Sequence, residues 1–336
     1  MAVPIRQAMK IGFYIMKQKM LGRKRYPLVL MLEPLYRCNL ECTGCGKIQK
    51  PNEILKKYLS VDDCLTAASQ CGAPVVSIAG GEPLIHPEIV DIVHGLVNQD
   101  RYVYLCTNAI LLEKFFDKLP VDPRLTLSIH LDGQKEHHDH ICQEEGIYDK
   151  AINAIREAKE RGFRVTTNTT FFDGVTVDEA ESFLDHLRPL NIDGMTVASA
   201  FQYQAAPDQD HFFGRRKTMD FFRELLSKNH DGKRWNFNHS PFYLDFLKGE
   251  RDYDCTPWGN PCYSVLGWQQ PCYLLDEGYV NTFEELMEKT EWDSYGHRNH
   301  PKCRDCTAHC GYEATAVEDS TNGIGNMITS AKAVFQ

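Results

Sequence analysis

From residue 28 to about residue 200 the chain alternates between short apolar runs and longer amphipathic segments. The apolar runs are rich in Val, Ile, Leu and Tyr, as buried strands are, and the segments between them carry apolar residues at helical spacing. Repeated strand–helix units favour a parallel sheet. We therefore predict an α/β fold, a partial (βα)6 TIM-like barrel, with its chemistry at the carboxyl ends of the strands. The predicted strands are 28–33, 75–79, 102–106, 125–131, 164–170 and 194–198, and the predicted helices include 61–70, 88–98, 148–161 and 177–187.

The pattern divides the chain into three parts. Residues 1–27 form a predicted basic amphipathic helix, residues 28–205 the barrel, and residues 206–336 a cysteine-rich C-terminal region. After a predicted helix at 215–227, this last part has Trp, Tyr, Pro and Cys in irregular order. Such a segment is typical of a loop-rich region that a metal could help to hold together.

The N-terminal segment combines an apolar stripe with positive charge. Its stripe has helical spacing and consists of Ile5, Met9, Phe13, Met16 and Met20. The first 32 residues hold seven basic residues and no acidic ones, although the whole chain has a net charge of −9. This pattern is typical of a helix resting on an anionic membrane surface, where each basic residue contributes about 1 kcal/mol. The alternative is a helix packed on the protein body with its basic face in solvent.

Composition and hydropathy limit the location and the partners. The chain has no apolar run of 18 residues, and lysines interrupt the N-terminal segment, so neither a membrane-spanning helix nor a secretory signal is expected. The acidic body disfavours binding to nucleic acid. We predict a cytoplasmic protein with peripheral contact at the inner face of the membrane.

Thirteen cysteines are many for a cytoplasmic chain. Disulfides rarely persist there, so grouped cysteines indicate metal ligands or reactive thiols. Cys38, Cys42 and Cys45 form a C-x3-C-x2-C motif just after the first predicted strand. Three thiolates can bind three irons of a [4Fe–4S] cluster and leave the fourth iron open to a substrate. A zinc site is the alternative, but three close cysteines without a nearby fourth ligand suit zinc poorly.

This motif resembles the signature of the radical S-adenosylmethionine (AdoMet) superfamily, and the resemblance extends over about residues 28–200. The sequence Gly80-Gly81-Glu82-Pro83, after the second predicted strand, resembles the family's GGEP motif, which binds the AdoMet amino group. Glycines allow close backbone approach, and Glu82 could accept a hydrogen bond from the ammonium. The resemblance further implies AdoMet contacts at Asn108, Ser128, His130, Asp132 and Asn168, although each of these could equally make a structural hydrogen bond.

Two positions depart from the family pattern. Gly44 stands immediately before the third cysteine, where the family usually has an aromatic residue, and Ala109 replaces the usual glycine after Thr107-Asn108. The small residue at position 44 puts normal adenine packing in doubt and could leave extra room beside the nucleoside.

The whole chain resembles the adenosyl-hopene transferases of hopanoid biosynthesis. The resemblance rests on the basic, Met-rich start, on residues 33–48 around the cysteine motif, and on residues 303–313. It implies reductive cleavage of AdoMet by a [4Fe–4S] cluster fed by an external one-electron donor. The 5′-deoxyadenosyl radical then adds to the alkene of an apolar triterpene, diploptene, to give adenosylhopane.

Addition to an alkene leaves a carbon radical that needs a hydrogen atom. Cys106 ends the third predicted strand beside Thr107 and Asn108. We predict that its thiol is the catalytic hydrogen donor, with a small buried apolar residue as the alternative. Tyr104 has the same strand parity as Cys106 and could line the same pocket, although packing in the core is the favoured alternative.

A second cysteine group lies near the C-terminus. Cys303, Cys306 and Cys310 are candidate ligands of an auxiliary metal, and this group resembles the cluster-binding extensions of some radical AdoMet enzymes. Zinc with His309, or free thiols, are the alternatives. A looser upstream set could contribute further ligands: Cys255, Cys262 and Cys272.

Two other functions remain open. The first is a radical AdoMet enzyme that modifies a peptide or a small molecule and carries an auxiliary cluster. The second is a non-catalytic metal-binding module, which leaves residues 80–83 unexplained.

Overall fold

The structure is a computed structural model that describes residues 3–203, 205–229 and 234–335. Its centre is a nine-stranded sheet in the order β6-β5-β4-β3-β2-β1-β7-β8-β9. Strands β1 to β6 are parallel neighbours in chain order, as expected for repeated strand–helix units. The strands are β1 Val29–Glu33, β2 Val75–Ile78, β3 Tyr102–Thr107, β4 Leu125–His130, β5 Arg164–Phe171, β6 Gly194–Ser199, β7 Cys262–Ser264, β8 Gly267–Gln270 and β9 Gly278–Val280.

The described residues also form twelve α-helices. They are α1 Ile5–Met20, α2 Asn52–Leu55, α3 Val61–Cys71, α4 Ile89–Asn98, α5 Lys135–Cys142, α6 Ile147–Glu160, α7 Val177–Leu187, α8 Arg215–Ser227, α9 Pro241–Leu247, α10 Phe283–Lys289, α11 His309–Asp319 and α12 Gly323–Phe335. Those that follow the barrel strands cover the outer face of the sheet. Alternate residues of β1 to β6 pack against them, and the fully buried side chains on β3 and β4 include Val103, Leu105, Leu125 and Leu127. The opposite parity faces the barrel interior. The fold is therefore the predicted partial TIM-like barrel, and its sheet is open, with β6 and β9 at its edges.

The six predicted strands agree with β1 to β6 within one residue at each end. Several elements are absent from the prediction, namely α2, α5, β7 to β9 and α9 to α12, so the C-terminal region is less loop-rich than expected. Helix α5 is short and polar, with the sequence KEHHDHIC. Strands β7 to β9 have three or four residues each, yet β7 pairs in parallel with β1 and extends the barrel sheet. Part of the predicted C-terminal region thus shares a sheet with the barrel.

Helix α1 lies at the amino-terminal side of the barrel strands. Lys10 bonds to Asp100, two residues before β3, and Gln7 donates a 3.1 Å hydrogen bond to the Tyr104 hydroxyl inside the barrel. Within the described residues, no helix is both long enough and apolar enough to cross a membrane.

Candidate functional site

The predicted site residues meet in one cavity at the carboxyl ends of the strands. It has a volume of about 320 Å³ and is lined by Cys38, Cys42 and Cys45 from the loop after β1. Pro83 is buried at the start of a short turn and is the one predicted AdoMet residue outside the lining. The other predicted residues that line the cavity are Gly80, Gly81, Glu82, Cys106, Asn108, Ser128, His130, Asp132 and Asn168.

The loop after β1, which carries Cys38, Cys42 and Cys45, is called the cluster loop. Its three thiols suit an iron–sulfur cluster better than a single metal ion. Tetrahedral zinc with 2.3 Å bonds needs sulfurs about 3.8 Å apart, whereas sulfurs that bind different irons of a cube lie farther apart. In the described chain, the one set of three His, Cys or acidic ligand atoms within 4.8 Å of one another is Cys42, His130 and Cys142, so the motif trio itself is more widely spaced. The Leu40 amide also donates to Cys38 Sγ at 3.4 Å, as amides do around cluster sulfurs.

The cluster loop is held by the turn after β2 that contains Gly80 and Gly81, which is called the glycine turn. Gly80 has φ +105°, a conformation that favours glycine, and a Cβ on Gly81 would lie 2.0 Å from the Arg37 carbonyl oxygen. The Gly81 amide donates to Leu35 O at 3.0 Å and the Glu82 amide to Arg37 O at 2.9 Å. The glycines therefore let the two loops pack backbone against backbone.

Glu82 joins this turn to the end of β3. Its buried carboxylate accepts hydrogen bonds from the amides of Leu84 (3.0 Å) and Asn108 (2.8 Å) and from the Thr107 hydroxyl (2.8 Å). Burial raises the pKa of Glu82, and these three donors oppose the shift. The carboxylate predicted to accept from a ligand thus also fixes the loop that presents it.

Asn108 connects β3 to the cluster loop. Its side-chain amide donates to Asn39 Oδ1 at 2.8 Å and lies 3.9 Å from Cys38 Sγ. The next residue, Ala109, has φ +68°, which explains why a glycine is usual at this position of the family pattern.

The partly buried His130 and the buried Asp132 form a pair that also lines the cavity. His130 Nε2 lies 2.6 Å from Asp132 Oδ2, and the Thr170 amide donates to Asp132 Oδ1 at 2.7 Å. Burial alone would lower the pKa of His130, but the Asp132 carboxylate outweighs it and raises that pKa to about 9. The imidazole is therefore held in a fixed orientation with its charge compensated.

An aromatic side chain that follows β5 explains why position 44 is a glycine. A Cβ on Gly44 would lie 2.6 Å from the ring of Phe172, which follows β5 and lines the same cavity. The expectation of extra room beside the nucleoside was wrong, because Phe172 occupies that space.

A buried ion pair anchors the cluster loop to β1. Lys47 Nζ lies 2.6 Å from Glu33 Oε1, and both side chains are almost fully buried. Burial alone would lower the pKa of Lys47, but the Glu33 carboxylate outweighs it and raises it. The ammonium also lies 4.8 Å from the Tyr273 ring centre. The pair therefore fixes the segment just after Cys45 to the end of β1.

Cys106 lines the cavity, and Tyr104 does not. Cys106 Sγ lies 3.4 Å from the Ser77 hydroxyl, and its strand partner is Ser128. Tyr104 bonds instead to Gln7 of α1 and is absent from the lining. Of its two predicted roles, the structure therefore agrees with packing inside the barrel and not with lining the pocket.

Five cysteines of the C-terminal region surround a second cavity of about 70 Å³. The predicted trio Cys303, Cys306 and Cys310 is joined there by Cys255 and Cys272. Cys262 lies elsewhere, against Glu33, and His309 is outside the lining. Phe201 lines both cavities, so the two are neighbours.

The comparisons with known proteins agree with this geometry. Residues 32–187 match the family model of the radical SAM superfamily. The barrel is a radical SAM domain. Membership of this superfamily implies a [4Fe–4S] cluster and AdoMet, and the chain is a radical SAM enzyme. Residues 195–330 match a second model, described as a domain of unknown function (DUF3463).

The similar proteins carry several names. A GTP 3′,8-cyclase of Clostridium botulinum (strain Okra / Type B1) is 28% identical over 270 residues, which cover 75% of this chain and 85% of the relative. SuiB of Streptococcus suis bound to S-adenosylmethionine has a TM-score of 0.62 at 17% identity, covering 75% of this chain and 61% of SuiB. The protein anSMEcpe, with bound AdoMet and Cp18Cys peptide, has a TM-score of 0.61 at 17% identity, and the match covers 92% of this chain and 96% of anSMEcpe. These names agree better with the predicted alternative, a radical enzyme for a small molecule or peptide, than with hopanoid adenosylation.

Sequence reasoning missed the apolar wall of the first cavity. Its members come from loops after β5 and β6 and from α5, and they are Ile141, Phe172, Ala200, Phe201 and Phe212. The Gly44 anomaly was the one signal that could have pointed to Phe172.

A tyrosine at position 44 would compete with Phe172 for the same space. We expect Gly44→Tyr to weaken AdoMet binding at least about 10-fold, because overpacking a filled site costs about 1–3 kcal/mol. The double variant Gly44→Tyr/Phe172→Ala should recover most of the affinity. Equilibrium dialysis with anaerobically reconstituted protein measures this, with Gly12→Ala, where nothing lies within 4 Å, as the control. Unchanged affinity in the single variant would contradict the assigned contact.

Proposed function

We propose that this radical SAM enzyme adds the 5′-deoxyadenosyl group of AdoMet to the alkene of an apolar hopanoid such as diploptene. The observation that carries the proposal is the Cys106 thiol, which lines the same cavity as Cys38, Cys42, Cys45 and the glycine turn. A radical that abstracts hydrogen from its substrate does not need a hydrogen donor beside AdoMet, whereas a radical that adds to an alkene does.

The residues have distinct roles in this reaction. When bound, the cluster supplies one electron to AdoMet, which releases methionine and the 5′-deoxyadenosyl radical. The glycine turn and Asn108 hold the cluster loop in place, and Ser128, Asn168 and the His130–Asp132 pair offer polar groups to AdoMet. The apolar wall opposite them contacts the hydrocarbon and excludes water from the radical.

Cys106 completes the product. The adenosyl carbon bonds to one alkene carbon, and the other alkene carbon takes the hydrogen atom from the Cys106 S–H bond. Burial raises the pKa of Cys106, and hydrogen bonds with Ser77 and Ser128 offset this only in part, so the sulfur keeps the hydrogen that it must donate. The resulting thiyl radical returns to the thiol with one electron and one proton, for which an external one-electron donor is required.

The charges of the cavity support an apolar substrate over a nucleoside triphosphate. Lys47 and His130 are the basic side chains among its described lining residues, and each already lies 2.6 Å from a carboxylate, Glu33 and Asp132 respectively. A triphosphate normally requires several unpaired cations or a set of converging amides.

The second candidate is a radical SAM enzyme that acts on a polar small molecule or a peptide. The names of the relatives, GTP 3′,8-cyclase and a SuiB structure with precursor peptide SuiA, favour it. A non-catalytic module is less well supported because the cavity combines the cysteine loop with the glycine turn.

Anaerobic turnover separates these candidates. The reconstituted enzyme is incubated with AdoMet, a reductant and detergent-dispersed diploptene, and in a parallel reaction with GTP. We expect an adenosyl adduct of diploptene by mass spectrometry and no cyclised GTP. Formation of 5′-deoxyadenosine without any adduct would reject the hopanoid substrate, and absence of AdoMet cleavage in all reactions would favour the binding module.

Removal of the Cys106 thiol should separate cleavage from product formation. We expect Cys106→Ala to continue to cleave AdoMet while the saturated adduct falls at least about 10-fold, which is the rate equivalent of 1.4 kcal/mol. Cys64→Ala is the matched control, since Cys64 is a buried thiol remote from the cavity lining. An unchanged yield of saturated adduct in Cys106→Ala would exclude this cysteine as the donor.

We further infer that the five C-terminal cysteines hold an auxiliary [4Fe–4S] cluster. Their cavity of about 70 Å³ is several times the space that one water needs, so it exceeds the needs of one ion. No three of these sulfurs lie within 4.8 Å of one another in the described chain, which disfavours a preformed zinc site.

The surroundings also suit an anionic cluster. The Ala308 amide lies 3.5 Å from Cys306 Sγ, and the guanidinium of Arg215 is bonded to the Cys306 carbonyl at 2.9 Å. A Cβ on Gly311 would lie 2.1 Å from Cys255 Sγ, so the glycine is required for that thiol to reach the cavity. Burial raises the pKa of Cys306 to about 12 and of Cys272 to about 11, and metal binding would release these protons.

Metal analysis tests the auxiliary site. We expect about eight irons per wild-type chain and about four in Cys303→Ala/Cys306→Ala, because one complete cube would be lost. Cys262→Ala is the control, since that buried thiol lies outside the second cavity. Equal iron in all three proteins, or stoichiometric zinc that the double variant loses, would contradict the assignment.

A further inference from the structure

Helix α1 has the reverse of the usual arrangement for a helix packed on a protein. Its buried residues are Gln7, Ile15 and Gln18, so two of the three are polar. Its exposed residues include Phe13 at 64% and Met20 at 86% of their full surface. The complete exposed apolar stripe is Ile5, Met9, Phe13, Met16 and Met20.

The buried polar residues are satisfied, so this orientation is fixed. Gln7 bonds to the Tyr104 hydroxyl at 3.1 Å, and Gln18 accepts from Arg23 at 3.1 Å. Ile15 packs with Tyr26 and with Ala314 of α11. Rotation of α1 that buried the apolar stripe would break these contacts of Gln7, Ile15 and Gln18.

A second exposed apolar face continues the first. Helix α12 exposes Ile324, Met327 and Ile328, whose spacing places them on one side of the helix. The ends of the two helices are joined, because Lys19 donates to Thr321 at 2.9 Å and to Asn322 at 2.7 Å. Of the eleven large apolar side chains that are exposed in the described residues, nine lie on α1, on Leu21 just after it, or on α12. Such a concentration marks an interaction surface.

The charges around this surface identify the partner. Lys10 and Arg25 are paired with Asp100 and Asp293. The other cations of residues 3–25 form no ion pair within the described chain, and they are Arg6, Lys17, Lys19, Arg23 and Lys24. Residues 320–336 contain no acidic residue. A symmetric dimer through this face would bring the same face of a second copy against it. The unpaired cations of the two copies would then repel one another, which disfavours a second copy as the partner.

We propose that α1 and α12 together form a docking surface for an anionic lipid bilayer. The apolar stripe inserts below the headgroups, while the unpaired lysines and arginines contact the lipid phosphates. Helix α1 lies at the amino-terminal side of the barrel strands, whereas the AdoMet cavity lies at their carboxyl ends. Docking therefore anchors the enzyme to the membrane and does not itself form the mouth of the active site, and it is independent of the proposed substrate.

Vesicle co-sedimentation of the full chain tests this surface. We expect binding to vesicles of phosphatidylcholine with phosphatidylglycerol, weaker binding at high salt, and little binding to phosphatidylcholine alone. Phe13→Ser/Met16→Ser should lower the apparent affinity at least about 10-fold, because two buried apolar side chains are lost. Ile324→Ser/Met327→Ser should lower it to a smaller extent. Val121→Ser, which removes an exposed apolar side chain elsewhere, should bind like wild type.

Two results would overturn the proposal. One is equal vesicle binding by wild type and Phe13→Ser/Met16→Ser. The other is a wild-type dimer in light scattering that this variant converts to a monomer, without any binding to anionic vesicles. Circular dichroism confirms that the variants fold, and AdoMet cleavage without lipid should be the same in all of them. A failure of the hopanoid reaction with normal vesicle binding would affect the proposed function alone.

Discussion

The contact between the glycine turn after β2 and the cluster loop after β1 supports the rest of the site. The amides of Gly81 and Glu82 donate to the carbonyls of Leu35 and Arg37, directly before Cys38. Any Cβ on Gly81 would collide with Arg37, so the contact requires glycine. Glu82 then extends the same network to Thr107 and Asn108 at the end of β3. Three consecutive strand ends are thus coupled by backbone geometry, and the cluster cysteines face the residues predicted to hold AdoMet.

Much of this arrangement could be predicted from sequence because its signals are local. Apolar periodicity predicted strands β1 to β6, and the cysteine spacing predicted the cluster loop. The resemblance to the radical AdoMet superfamily added residues 80–83 as its neighbours. Short strands such as β7 carry too few residues for a periodic signal, and the pairing of β7 with β1 joins segments far apart in the chain. Helix α5 was missed because its polar sequence lacks a clear apolar stripe.

Contacts between distant segments account for the other differences. Gly44 looked like a gap because the residue that fills it, Phe172, lies on a strand end more than a hundred residues away. In the same way, spacing grouped Cys303, Cys306 and Cys310, but only the fold brings Cys255 and Cys272 to them and sends Cys262 to Glu33. The comparisons reach the superfamily, and the names of the relatives agree better with a small-molecule or peptide substrate, while the C-terminal part matches a domain of unknown function. The proposal of an apolar substrate rests instead on the cavity itself, with its apolar wall and its two already paired basic side chains.

Isotope incorporation tests the central claim most directly, namely that an adenosyl radical adds to an alkene and a protein thiol completes the product. The Cys106 thiol exchanges its hydrogen with solvent, so the enzyme is pre-equilibrated in D2O and incubated with AdoMet, reductant and diploptene. The account predicts an adenosyl adduct with one carbon-bound deuterium at the alkene carbon that does not bear the adenosyl group. Unlabelled adduct, or deuterium recovered in 5′-deoxyadenosine in place of an adduct, would contradict it.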